Sequence, residues 1–81
     1  MLTHRQLRYF VEIVDAGSFS LASERLFIAQ SALSRQVREM EQALNVQLLE
    51  RDSRHLAMTA AGQSLYADAR HILTALADAA A

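Results

Sequence analysis

Eighty-one residues make one small domain, near the lower limit of what buries enough apolar surface to fold without staples. No cysteine is present, no apolar run is long enough to cross a bilayer, and no charged-then-apolar leader opens the chain, so disulfides, thiolate metal sites and membrane insertion are excluded and a cytoplasmic setting is expected. Eight basic against nine acidic side chains give a formal charge of −1, which argues against an evenly basic, nucleic-acid-coating surface.

The first helix is announced by Thr3, with Gln6 in capping-box position and Leu2 and Leu7 placed for a hydrophobic staple. Leu7, Phe10, Val11 and Val14 form its apolar stripe, widened by Tyr9 and Ile13. Gly17 ends it as a residue that tolerates positive φ. A serine among Ser18 and Ser20, with Ser20 preferred, is expected to cap a short second helix that turns Ala22 and Leu26 inward. The smallness of Ala22 suits two backbones approaching closely at a corner. Phe27, Ile28 and Ala29 then form a tight connection.

A third helix is predicted from about Gln30 to Leu44. Leu33, Val37, Met40 and Leu44 share one buried face, whereas Gln30, Ser31, Ser34, Arg35 and Arg38 fall on another. Arg35 with Glu39, and Arg38 with Glu41 or Gln42, are spaced for surface pairing. Asn45, which visits the left-handed region readily, closes the helix. Between Gln47 and Thr59 the period changes to alternation, Leu49 with Arg51 and Leu56 with Met58, around a turn at Asp52, Ser53, Arg54 and His55. Such a hairpin is too short to stand without packing on the helices. Thr59 caps a last, alanine-rich helix, where Leu65, Ala69, Ile72, Leu76 and Ala79 recur in a heptad-like pattern beside Tyr66 and Leu73. That helix carries more apolar surface than one small domain covers, and a partner helix is the natural remedy. The expected fold class is all-α with a small β-hairpin wing: a winged helix-turn-helix followed by a long linker helix.

The acidic net charge is less decisive than the local field, because charges more than about 8–10 Å apart are largely screened. All eight basic residues are arginines, and residues 30–38 hold two of them and no acid. Arginine presents a planar fork of donors that matches phosphates and guanine edges.

The run LRYFVEIVDAGSFSLASERLFIAQSALSRQVREMEQALNVQLLERDSR, followed by Thr59 and Gly62, resembles the N-terminal DNA-binding domain of LysR-type transcriptional regulators; QSALSRQV with LLER at this distance is its specific part. The chain departs from the family at Ser31, often proline, and at Asn45, often glycine. The resemblance implies a bacterial regulator that binds double-stranded operator or promoter DNA at interrupted palindromes, as a homodimer or tetramer. It divides the chain into a winged helix-turn-helix DNA-binding domain at residues 1–59, with its helix-turn-helix at about 18–44 and wing at about 47–59, and a linker or dimerisation helix at residues 60–81. It also implies a C-terminal effector-binding domain, absent from these residues, that would take a small-molecule effector. No cofactor is expected in the residues at hand.

By the same resemblance Gln30, Ser31, Ser34 and Arg35 sit where the family touches DNA. Chemistry agrees: Gln30 can pair bidentately with adenine, Ser34 can donate or accept, and Arg35 suits guanine O6 and N7 or a phosphate. The bland alternatives are a solvated helix start for Ser31 and Ser34, and a surface pair with Glu39 for Arg35. Arg38 meets a phosphate or lies on a solvated face. Arg51 holds a phosphate or pairs with Glu50, Asp52 or an acid on another helix. Arg54, at the wing tip, is where the family inserts a basic side chain into the minor groove. Ser18 and Ser20 either cap the second helix or help its amides meet a phosphate. Dimer contacts are expected from Leu65, Ala69, Ile72, Leu73 and Leu76.

His4, His55 and His71 have no ligand spacing, so no metal site is expected, and without a nucleophile elbow or glycine-rich phosphate loop neither is catalysis. The competing class is a winged-helix module whose third helix meets protein, which the acidic net charge slightly favours.

Overall fold

The computed structural model, which describes residues 1–51 and 55–81, orders the chain as α1 (His4–Ala16), α2 (Phe19–Leu26), α3 (Gln30–Leu44), β1 (Leu49–Arg51), β2 (Leu56–Met58) and α4 (Ala60–Ala80). Among the described residues no helix is long and apolar enough to cross a membrane. Local chemistry sets most of the boundaries. Thr3 and Gln6 form a reciprocal capping box at α1, with the Gln6 amide donating to Thr3 Oγ1 at 3.1 Å and the Thr3 amide to Gln6 Oε1 at 3.0 Å. Gly17 ends α1 in the left-handed region at φ 80°, and Asn45 ends α3 there at φ 53°.

The cap of α2 is Ser18, whose hydroxyl accepts from the Leu21 amide at 3.0 Å. Ser20, expected in that role, lies inside the first turn instead. Once Gly17 has turned the chain, Ser18 is the first residue in extended conformation, and so it takes the cap. The α2–α3 connection holds an unforeseen feature. Phe27 adopts the left-handed region at φ 57° and is 94% exposed as a residue. Its amide donates to Glu24 O at 3.3 Å and the Ile28 amide to Ser23 O at 3.1 Å, which hold a conformation costing an L-residue about 1–2 kcal/mol.

The main core gathers Phe10 and Ile13 of α1, Ala22 of α2, Leu33, Val37 and Met40 of α3, and Leu48 and Leu49 at the wing base. Burying each large apolar side chain here stabilises the fold by about 1.5–3 kcal/mol. Leu44 shares the core face of α3 but is 42% exposed, contrary to expectation: the last turn runs past the elements that cover Leu33, Val37 and Met40. A second cluster packs Leu7 and Val11 of α1 on Ala69 of α4, with Leu2, Leu65, Tyr66 and Leu73 around it.

The wing pairs β1 and β2 antiparallel, with Leu49 opposite Met58, Glu50 opposite Ala57 and Arg51 opposite Leu56. Its base is knotted to α4 through Thr59. The Thr59 amide donates to Leu48 O at 3.0 Å, and its hydroxyl donates to Gln47 O at 2.6 Å while accepting from the Gly62 amide at 3.0 Å. Farther along α4, Tyr66 Oη and Arg70 both donate to the Asp15 carboxylate, the latter at 3.4 Å. The hydrogen bond to Asp15 favours the neutral phenol and, with some burial and the carboxylate charge, raises the Tyr66 pKa above the usual tyrosine value. An acid near the C-terminal end of a helix is otherwise unfavourable. At Asp15 these α4 donors offset that cost.

Candidate nucleic-acid interface

The outward face of α3 is built by the burial of its opposite face. With Leu33, Val37 and Met40 inside, Gln30, Ser31, Arg35 and Arg38 are exposed and Ser34 is half-buried. The N-cap of α3 is Ala29, which offers no side-chain acceptor, so the amides of the first turn stay open as donors. Ser31 is the second helical residue. Among the described residues Arg35 makes no ion pair with Glu39, and its guanidinium is left to other partners.

The wing reaches this face through Arg51. Period-two alternation puts Arg51 on the same side of β1 as the buried Leu49, facing the helices. Its guanidinium carbon lies 4.3 Å above the centroid of the Phe19 ring, and Nη1 donates to Ser34 Oγ at 3.0 Å. Arg38 Nη1 donates to the same oxygen at 3.3 Å. Ser34 thus gathers two arginines, one from its own helix and one from the wing. This replaces the expected pairing of Arg38 with Glu41 or Gln42, and among the described residues Arg51 forms no ion pair. Glu41 instead accepts the Leu48 and Leu49 amides at 2.8 and 3.3 Å. Phe19 did not stand out in the sequence, and Glu41 did so only as a surface partner for Arg38. The alternation at Leu49 and Arg51 signalled that Arg51 faces the helices, but not which side chain it meets.

The arrangement also accounts for the acidic net charge. Glu12 is paired with Arg25 at 3.3 Å, Asp15 with Arg70, and Glu41 is occupied by backbone amides. Arg35, Arg38 and Arg51 are consequently concentrated on one surface without a carboxylate partner among the described residues. Arg54 lies outside the described residues, and Ser20 is exposed in the first turn of α2.

The family model for the bacterial regulatory helix-turn-helix protein, lysR family, matches residues 4–63. The chain belongs to the LysR family. Its relatives include the nitrogen assimilation regulatory protein nac of Escherichia coli strain K12, 53% identical over 72 residues that make up 89% of this chain and 24% of that protein. Another is the HTH-type transcriptional regulator BenM of Acinetobacter baylyi, 46% identical over 86% of this chain and 23% of BenM. The chain therefore spans about a quarter of the length of the curated relatives it matches. Among solved structures it superposes on the BenM DNA-binding domain in its complex with catB site 1 DNA, with TM-score 0.94, 40% identity, and 98% of this chain and 89% of that one covered. The CbnR DNA-binding domain in complex with DNA gives TM-score 0.92 and 38% identity, covering 98% and 91%. The winged helix-turn-helix read from the pattern of elements is thus the fold of this LysR-family chain.

In this LysR-family chain α4 has two apolar faces where the heptad pattern implied one seam. Ala69 is completely buried on Leu7 and Val11, and Leu65 is half-buried between both core clusters. Ala69 therefore has no surface left for a partner, which removes it from the expected dimer contacts. Leu73 is half-buried against the second cluster, while Ile72 and Leu76 are 43% and 47% exposed.

Proposed function

We propose that this chain is the sequence-specific, double-stranded-DNA-binding domain of a bacterial LysR-type transcriptional regulator acting in the cytoplasm. The supporting observation is the outward face of α3, where exposed Gln30, Ser31 and Arg35 stand beside Ser34 and the two arginines it gathers. A helix of this kind fits the major groove with its N-terminal residues against base edges. Gln30 and Arg35 then read bases, Ser31 and Ser34 adjust the contact, and Arg38 and Arg51 hold phosphates. Arg54 is assigned to the minor groove, where narrow A·T-rich segments concentrate negative potential. The BenM and CbnR domains, with which the chain shares its fold, are described in complexes with DNA, which supports the same role here.

Ile72 and Leu76, flanked by the half-buried Leu73, present an apolar strip that a second copy of α4 would cover. A two-fold dimer built this way sets two recognition helices about one DNA turn, roughly 34 Å, apart on an interrupted palindrome. Leu76→Asp is expected to shift the chain to monomers in sedimentation velocity, whereas an unchanged mass would move the interface elsewhere. A further domain binding a small-molecule effector, and a tetramer of the complete regulator, belong to the same reading.

Selection of binding sites from random duplexes tests the DNA assignment and yields half-site sequence and spacing together. On the selected site, Arg35→Ala and Gln30→Ala are expected to cost about 1–3 kcal/mol each and to relax preference at one base pair. If both variants discriminate like the wild type under controlled salt, α3 is not the reading element. Binding indifferent to salt would instead favour a protein partner for this face.

A further inference from the structure

The contacts of α3 are asymmetric in kind but balanced in position. Ser34 and Gln36 lie about 160° apart around the helix at 3.6 residues per turn, on opposite flanks of the outward face centred near Arg35. On the first flank Ser34 is held by Arg51 and Arg38. On the second, Gln36 Oε1 accepts from Gln6 Nε2 of α1 at 3.2 Å. This bond fixes the first turn of α1 alongside the recognition helix. A shallow groove between them is lined by Thr3, His4, Arg5, Gln6 and Gln36. Thr3 and Gln6 are committed to the capping box, so the free charge at this groove is the guanidinium of Arg5, which is exposed and without an ion pair among the described residues. No acid occurs in α1 before Glu12, and Glu12 is paired with Arg25.

We infer that Arg5 is a second phosphate contact, engaging the DNA strand opposite the one held by Arg51. The inference rests on the DNA-binding reading above. A helix lying in a major groove about 12 Å wide has the phosphates of one strand on each side. Arg51 and Arg38 supply cations to one side only. Without Arg5 the other side would meet polar, uncharged Gln36 and the acid Glu39, and that strand would go unneutralised. Arg8, one turn farther on, is a control of equal charge, because it lines a different groove, with His4 of α1 and Leu73, Leu76 and Ala77 of α4.

The test is a salt titration of duplex binding by the 81-residue chain, its Arg5→Gln, Arg8→Gln and Arg51→Gln variants, and duplexes carrying a single neutral methylphosphonate scanned along each strand. Arg5→Gln is expected to reduce the slope of log K against log salt by about 1, and to weaken binding roughly fivefold at 0.15 M salt, with base preference unchanged. Arg8→Gln is expected to leave the slope as it is. The methylphosphonate to which Arg5→Gln becomes indifferent should lie on the strand opposite the one identified with Arg51→Gln. An unchanged slope for Arg5→Gln beside a reduced one for Arg51→Gln would overturn the inference and leave DNA binding standing, as would mapping both arginines to one strand. A wild-type chain without salt-dependent binding would overturn both.

Discussion

Glu41→Ala is expected to destabilise the chain by about 3 kcal/mol, visible in urea or thermal unfolding as a fall in Tm of roughly 12–24 °C. The Glu41 carboxylate sits in the last turn of the recognition helix and accepts the amides of Leu48 and Leu49. Both leucines are at most 2% exposed, so these amides have little access to water as a substitute. Leaving a buried donor unpaired costs about 1–3 kcal/mol, and here two are exposed to that loss together. Glu41→Gln keeps an acceptor oxygen but loses the charge, and charge-assisted bonds are about twice as strong as neutral ones. The glutamine variant should therefore lie about midway between wild type and alanine. Function should follow, since the same contact fixes where the wing leaves α3 and hence whether Arg51 lies over Phe19 and reaches Ser34. If both variants unfold like the wild type, the carboxylate is not what joins the wing to the recognition helix.

Much of this architecture is legible residue by residue because the signals are local. The Thr3 and Gln6 box, the left-handed residues Gly17 and Asn45, and Thr59 before α4 each act within one helical turn, and the core stripe of Leu33, Val37 and Met40 needs only two. Features decided by distant partners are not legible in this way. Spacing offers Arg38 as a partner for Glu41, but the buried amides of Leu48 and Leu49 compete successfully because they have no alternative acceptor. Heptad spacing on α4 identifies apolar residues without saying which neighbour each one meets, so Ala69, packed on α1, reads the same as Leu76, which is exposed. Phe27 carries no turn signal at all. Its left-handed backbone is imposed by the close passage of α2 onto α3 at Ala22 and Ser23, both buried, and by the two amide bonds that bracket it.

The candidate site divides along the same line. Gln30, Ser31, Ser34 and Arg35 are legible as a polar face because helix periodicity alone separates them from the core. That Ser34 joins the wing to the helix is not, since it depends on the register of β1, which carries the side chain of Arg51 over Phe19. Composition was the least informative quantity of all. The charge of −1 averages over pairs such as Arg25 with Glu12, which largely cancel locally, whereas phosphates respond to the arginines left over.

Gly62→Ala is the second substitution expected to have a large effect, and its sign runs against helix propensity. Alanine is favoured over glycine inside a helix by about 1 kcal/mol. A Cβ at position 62, however, would run into the carbonyl oxygen of Leu48 and come within 3.0 Å of its carbonyl carbon and 3.3 Å of Met58 Cβ. The obstacle is backbone, and that backbone is held by the Thr59 amide, so it cannot swing aside as a side chain would. Overpacking costs about 1–3 kcal/mol where neighbours yield, and a fixed carbonyl places this site at the upper end. A net loss of about 2 kcal/mol is expected in chemical denaturation. Relief requires α4 to tilt away from the wing base, which stretches the bonds from Thr59 to Gln47 and Leu48 and turns the strip of Ile72 and Leu76 relative to the recognition helix. The same variant should therefore change the preferred half-site spacing in binding-site selection, beyond lowering affinity. Wild-type stability together with wild-type spacing would mean that the close approach of α4 to Leu48 does not set its direction.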